Sequence, residues 1–137
     1  MKQTRRILSV LLVIGAAVTL YYWWSYFTAG DVMASRERWY TAFESSFPVA
    51  DGWMALCMLV AGIGLWSGRD WGARFGLMAG SALAYLAAMD ITFDIENGMY
   101  ALARTGDAMK FEIFINVTTV LLAIATLFVS WRELGRR

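Results

Sequence analysis

Carboxylates and amides recur at helical spacing within apolar stretches of this sequence. Asp90, Asp94 and Asn97 stand at i, i+4 and i+7, and Glu112 and Asn116 repeat the i, i+4 interval further along the chain. Side chains at these intervals share one face of a helix. Grouped carboxylates suit a bound cation or proton exchange, and neighbouring amides can orient a ligand. We therefore treat these five residues as candidate ligand-binding residues.

Asp51 is a sixth acidic candidate, and tryptophans accompany it. Trp23 and Trp24 lie near the end of the first apolar stretch, and Trp53 follows Asp51 by two positions. Trp is typical of the boundary between lipid and water, so an aromatic belt is the simplest interpretation. Because consecutive aromatic residues point around a whole helix, some must face inward, where rings beside carboxylates suit an organic cation. The three tryptophans are therefore candidate walls of a pocket.

Several other kinds of chemistry lack the residues they need. The 137 residues include no His and a single Cys, Cys57. This composition argues against zinc sites, haem ligation by His, disulfides and the commonest general base. Phosphate loops, nucleophile elbows and recognised metal-ligand spacings are absent from the sequence, and a net charge of +1 gives no field that would attract nucleic acid. We therefore predict no cofactor, no metal site and no catalytic residue. A lipid-modifying enzyme that relies on carboxylates ranks last among the alternatives.

Four apolar stretches must position these residues: Ile7–Phe27, Pro48–Ser67, Trp71–Phe93 and Ala108–Trp131. Each is near the roughly 20 residues that a helix needs to cross about 30 Å of hydrocarbon. With 59% hydrophobic and 17% charged residues, the chain is too apolar for a soluble domain of this length. The sequence therefore predicts an all-α integral membrane protein, with residues 1–137 forming a single domain built as a four-transmembrane-helix bundle.

Two longer connections are predicted to carry short interfacial helices. In the first, residues 28–47, the aromatic side chains of Trp39, Tyr40, Phe43 and Phe47 share a helical face, whereas Glu44 is expected to face water. The second connection covers residues 94–107. The connection near residues 68–70 is a tight turn, which makes the second and third apolar stretches antiparallel neighbours.

Basic residues near the ends of the stretches predict the orientation. With both termini in the cytoplasm, that side carries eight of the twelve basic residues: Lys2, Arg5, Arg6, Arg69, Arg74, Arg132, Arg136 and Arg137. This bias favours cytoplasmic N- and C-termini in a bacterial inner membrane. A cleaved signal peptide is the alternative for the first stretch. It is disfavoured because bulky aromatic residues follow the apolar core where a peptidase requires small ones.

The polar candidates all lie toward the predicted outer ends of the helices. At 1.5 Å per residue, Asp90 is roughly 10 Å below Asn97 and Asn116 is roughly 13 Å below Asp107. Because an ionisable group in hydrocarbon costs on the order of 3 kcal/mol, these side chains should face the bundle interior or a wet cavity. The alternative for the shallower acids is a structural role, with salt bridges to basic residues such as Lys110. The sequence favours an outward-facing acidic and aromatic pocket that binds, and in one version transports, a cation, an amine or a lipid-like ligand.

The third apolar stretch also carries a small residue at every fourth position: Gly72, Gly76, Gly80, Ala84 and Ala88. Such a face lets another helix approach closely. The neighbouring helix belongs either to the same chain, which is the simpler interpretation, or to another molecule. In the second case the protein would be a homo-oligomer or an accessory subunit of a membrane complex.

The predicted layout resembles that of small four-helix membrane modules such as the EXPERA domain, whose pockets use acidic and aromatic side chains for sterol-like or amine ligands. The resemblance covers the number of helices and the chemistry of Asp51, Asp90, Glu112 and the nearby tryptophans. It implies a fold and a class of ligand. No sequence motif aligns, so it assigns no role to any single residue.

Overall fold

A computed structural model describes residues 2–30 and 32–135 of the chain. These residues form α1 (Lys2–Thr28), α2 (Arg38–Glu44), α3 (Pro48–Trp66), α4 (Asp70–Glu96), a 3-10 helix (Met99–Arg104) and α5 (Asp107–Leu134). No strand occurs among them. Arg136 and Arg137, two of the residues on which the predicted orientation depends, lie outside the described residues.

Among the described residues, four helical segments are long and apolar enough to cross a membrane. The candidate spans are Lys2–Thr28, Arg38–Trp66, which combines α2 and α3, Asp70–Glu96 and Asp107–Leu134. Each contains one of the four predicted stretches or all but its last residue, so the prediction of four long helices is confirmed. The helices begin earlier or end later than the apolar residues do, because helical backbone hydrogen bonding continues through the polar residues at their ends.

The four long helices pack side by side in an antiparallel order. α4 packs extensively against α3 and α5, α1 packs against α3, and α1 makes a smaller contact with α5. Leu12, Ala16, Met58, Ala61 and Leu83 lie in the shared apolar core, each at most 2% exposed. Since successive helices run in opposite directions, the ends of α1 and α4 and the beginnings of α3 and α5 meet at one end of the bundle.

The connection between α3 and α4 is the predicted tight turn. Gly68 adopts a φ of 69°, a left-handed conformation that residues with a side chain rarely take. The Arg69 amide donates to the Gly64 carbonyl oxygen at 2.8 Å, which closes the end of α3. The turn holds α3 and α4 as direct neighbours.

Two glycines of α4 let neighbouring helices approach closely. Gly72 lies directly against Gly64 of α3, so that the two backbones touch. One turn later, Gly76 leaves room for the side chain of Ser130 on α5. Both contacts lie within the chain, as the simpler interpretation of the small-residue face expects.

The rest of that face divides in two. A β-carbon on Gly80 would lie 2.7 Å from Leu127 Cγ of α5, so this position is also filled from within the chain. Ala84 and Ala88 are exposed. A partner subunit at this face stays a prediction, and within the face only the two alanines offer it an uncovered surface.

Helices occupy both longer connections, as expected, but the orientation of α2 differs from the prediction. Tyr40 is fully buried, Phe47 is 7% exposed and Trp39 is 47% exposed. Glu44, which was expected to face water, is only 5% exposed. That expectation is wrong because Glu44 stands one turn after Tyr40 on α2, and this face of the helix packs onto the bundle end.

Candidate functional site

A cavity of about 90 Å³ lies at the bundle end where α3 and α5 begin. Its polar lining includes Tyr22, Glu44, Asp51, Asp90, Glu112 and Asn116, and Trp23 and Phe47 add aromatic surface. A water molecule needs roughly 10–15 Å³ of such space, whereas pockets for drug-sized molecules measure about 300–1,000 Å³. The cavity therefore suits an ion with a few waters or a small amine, and it is too small for a sterol-sized ligand.

Three carboxyl groups, here called the acidic triad, meet in this cavity: Glu44 of α2, Asp90 of α4 and Glu112 of α5. One carboxylate oxygen from each residue lies within 4.8 Å of the corresponding oxygens of the other two. Glu44 and Glu112 are buried, and Asp90 is half-buried. The triad thus joins three separate segments of the chain around one point.

Basic side chains do not neutralise the acidic triad. Lys110, considered above as a partner for the acids, instead pairs with Asp107 at 2.8 Å on the surface. Arg5 pairs with Glu133 at 3.4 Å, where α1 begins and α5 ends. Within residues 2–30 and 32–135, no Lys or Arg forms an ion pair with a triad carboxylate. The salt-bridge alternative therefore finds no support in the cavity.

Two tyrosines supply neutral hydrogen-bond donors to the triad. The Tyr22 hydroxyl donates to Glu44 Oε2 at 3.0 Å, and the Tyr40 hydroxyl donates to Glu112 Oε2 at 3.1 Å. Each bond engages one carboxylate oxygen and fixes the plane of the carboxyl group. The second oxygen of each group stays available for another partner.

Similar bonds hold the two acids that flank the triad. Trp23 Nε1 donates to Asp51 Oδ2 at 2.8 Å, which links α1 to α3. Asn116 Nδ2 donates to Asp94 Oδ2 at 3.3 Å, which links α5 to α4. Helical spacing predicts a polar face on each of two helices, with Asp94 on one and Asn116 on the other. In the structure these two faces, on α4 and α5, pack against each other.

Two buried carboxylate oxygens have no hydrogen-bond partner among the described residues: Glu112 Oε1 and Asp94 Oδ1. Glu112 is 4% exposed and Asp94 is fully buried. Leaving a buried polar group unsatisfied costs about 1–3 kcal/mol, more if it is charged, and most such groups in proteins have a partner. The Glu112 carboxyl lines the cavity and lies within hydrogen-bond reach of the Asp94 carboxyl, so either a shared proton or a cation must satisfy these oxygens.

Tyr100 of the 3-10 helix lies close to the buried carboxyl group of Asp94. Burial raises the pKa of its hydroxyl, and the neighbouring carboxyl of Asp94 adds to the rise. Tyr100 is therefore protonated at neutral pH and can act only as a neutral partner. It also lines a second, mostly apolar groove of about 420 Å³, and Asn116 contributes to both this groove and the acidic cavity.

Six of the nine predicted ligand-binding residues meet at this end of the bundle. The cavity lining includes Trp23, Asp51, Asp90, Glu112 and Asn116. Asp94 lies just behind it, held by Asn116. The i, i+4 spacing on α4 and α5 identified these positions because both helices turn the polar face inward.

The other three predicted residues lie away from the cavity. Trp24 is 64% exposed and Trp53 is 51% exposed. Each stands one or two positions from an inward residue and so points to a different side of its helix. Asn97 is exposed and donates to the Phe93 carbonyl oxygen at 2.9 Å, because it follows the last residue of α4 and caps that helix.

Tyr22, Tyr40 and Glu44 belong to the site but were not among its predicted residues. The sequence pattern predicts Glu44 on the water-facing side of a short helix and Tyr40 on its aromatic face, and Tyr22 is one of the consecutive aromatic residues that end the first apolar stretch. The i, i+4 spacing of Tyr40 and Glu44 is a signal that could have identified both of these residues. Comparisons with protein-family models, with curated proteins and with solved structures find no match for this chain.

Proposed function

We propose that this chain is a multi-pass protein of the bacterial inner membrane that binds a small cation in the acidic cavity. Both termini would lie in the cytoplasm, and the cavity would lie at the outer end of the bundle. The candidate cations are a metal ion and a small protonated amine.

The acidic triad is the observation that carries this proposal. Carboxylate oxygens of Glu44, Asp90 and Glu112 lie within 4.8 Å of one another, and no described Lys or Arg pairs with them. Like charges at this distance repel strongly where water is scarce. A cation between them removes both the repulsion and the cost of desolvation, so the apolar surroundings favour its binding.

The size of the cavity supports a small ligand over the lipid-like alternative. Its volume of about 90 Å³ leaves room for an ion with some of its water. Tyr22, Tyr40 and Trp23 complete the site by donating to the carboxylates rather than by adding charge. These donors bring no positive charge into the cavity that would compete with a cationic ligand.

Replacement of Asp90 tests the proposal. In detergent, a small cation should raise the melting temperature of the wild-type protein in a saturable manner, because ligand binding stabilises the folded state. Asp90→Asn should reduce this shift by more than half while leaving the helical content unchanged. Asp107→Asn is the matched control, since the Asp107 side chain is 96% exposed at the same end of the bundle. Equal shifts in all three proteins, with metal ions and with methylammonium, would contradict the proposal.

A further inference from the structure

The geometry points to a hard divalent metal ion, of the Mn²⁺, Ca²⁺ or Mg²⁺ type, as the cation held by the acidic triad. This inference rests on the proposed function and narrows it to one class of ligand. It also revises the sequence prediction of no metal site, which considered ligand spacings along the chain and not residues brought together by folding.

The distances within the acidic triad suit one shared ion. Oxygens that bind the same ion lie no farther apart than twice the metal–oxygen distance, which is about 4.2 Å for Mg²⁺ and about 4.6–5.2 Å for Ca²⁺. The ligand atoms of Glu44, Asp90 and Glu112 are all within 4.8 Å of one another. This spacing is within the range for one shared Ca²⁺, whereas a smaller ion such as Mg²⁺ requires the three carboxylates to move closer together.

An unpartnered atom is a second and independent sign of a bound ion. Glu112 is 4% exposed and lines the cavity, and its Oε1 accepts no hydrogen bond from a described N–H or hydroxyl group, although the Asp94 carboxyl lies within reach of the Glu112 carboxyl. Its other oxygen accepts from Tyr40. Carboxylates that bind metals are commonly held in this way, with one oxygen on the metal and the other fixed by a donor in the protein.

The types of ligand indicate which metals fit. The chain has no His, and Cys57 is not among the residues that line the cavity. A site built from carboxylates and water favours Mg²⁺, Ca²⁺ and Mn²⁺ over Zn²⁺ or Cu²⁺, which prefer nitrogen and sulfur ligands. The cavity has room for the water that such ions retain.

The aromatic residues distinguish a metal ion from an organic cation. Sites for organic ammonium ions present the faces of aromatic rings to the ligand. Here Tyr22, Tyr40 and Trp23 each direct a polar edge to a carboxylate. These residues therefore orient acids, as the surroundings of a metal site do.

Binding of Mn²⁺, measured by the loss of the free-ion signal in electron paramagnetic resonance, tests this inference on the purified full-length protein after chelation. We expect one Mn²⁺ per chain, displaced by Ca²⁺ or Mg²⁺. Glu112→Gln preserves the shape of the side chain and removes its charge, so it should weaken Mn²⁺ binding about tenfold or more. Asp107→Asn, outside the cavity, should bind like the wild type. Circular dichroism establishes that each variant is folded.

The possible results separate the two proposals. Mn²⁺ binding that is as strong in Glu112→Gln and in Asp90→Asn as in the wild type would place the ion elsewhere and overturn the inference. Saturable binding of methylammonium without any binding of divalent ions would overturn the inference while leaving the proposed function intact. Binding of neither cation would overturn both.

Discussion

Hydrogen bonds from tyrosine decide how the buried carboxylates can act. Tyr22 and Tyr40 donate to Glu44 and Glu112 without contributing a positive charge. An arginine in either position would neutralise the acid and remove its attraction for a cation. A phenol instead orients the carboxyl group and leaves its charge for the ligand. This choice of partner is what separates the cavity from an ordinary buried salt bridge.

Replacing Tyr40 by Phe should therefore weaken cation binding through Glu112. The ring continues to fill its buried position, but Glu112 Oε2 loses its donor and the carboxyl group can rotate. We expect Mn²⁺ affinity to fall about tenfold, as is common when a residue that orients a metal ligand is removed. The titration that measures Mn²⁺ binding to Glu112→Gln serves here as well.

Tyr85→Phe is the matched control for this prediction. Tyr85 is 66% exposed on α4, so loss of its hydroxyl should leave the affinity unchanged. Equal affinities in Tyr40→Phe and the wild type would show that the hydrogen bond does not position Glu112. Such a result would leave Tyr40 with a packing role only.

The long helices could be predicted from the sequence, but the buried face of the short helix α2 could not. An apolar run such as Ile7–Phe27 must form its own backbone hydrogen bonds in lipid, so its length alone indicates a helix. α2 has only seven residues, and what covers its face depends on α1, α4 and α5. Glu44 was misplaced for this reason, since its burial comes from contacts distant in the sequence.

The ends of helices caused the other differences. Asn97 continues the spacing of Asp90 and Asp94, but it lies just beyond the last residue of α4 and bonds to the Phe93 carbonyl. Periodicity predicts a face only while the helix continues. Trp24 and Trp53 show a second limit, because tryptophan at the boundary of an apolar stretch is equally compatible with facing lipid or the interior.

The small-residue face of α4 gives a prediction about packing. A β-carbon on Gly80 would lie 2.7 Å from Leu127 Cγ and 3.2 Å from the Leu127 amide nitrogen. Gly80→Leu should therefore push α4 and α5 apart and lower the free energy of unfolding by about 1–3 kcal/mol, as overpacking usually does. Unfolding of the purified protein in increasing denaturing detergent measures the loss.

Ala84→Leu is the control on the same face of α4. Ala84 is exposed, so the larger side chain should change stability by less than about 0.5 kcal/mol. If Gly80 served a partner subunit instead, Gly80→Leu would leave the monomer as stable as the wild type and abolish a larger complex. Mass measurement in detergent distinguishes these outcomes.

Charge is divided between the two ends of the whole molecule. The acidic triad lies where α5 begins, and Arg5 and Arg69 lie at the opposite end, where α1 begins and α3 turns into α4. Basic residues are enriched on the cytoplasmic side of membrane proteins, although four of the twelve in this chain, including Arg104 and Lys110, lie toward the acidic end. If this unequal distribution of basic residues sets the orientation of the chain, as we propose, the cavity opens to the outside. The orientation of the chain therefore determines from which side a cation reaches the cavity.

Chemical labelling of intact cells answers that question. Cys57 is fully buried, so the wild-type protein should not react with a maleimide that cannot cross membranes. Asp107→Cys places a thiol at a position whose side chain is 96% exposed at the acidic end, and it should react in intact cells. Ser67→Cys places an exposed thiol in the turn between α3 and α4, and it should react only after the membrane is permeabilised. The reverse pattern would turn the cavity to the cytoplasm, and equal reaction of both variants in intact cells would contradict the membrane-spanning arrangement itself.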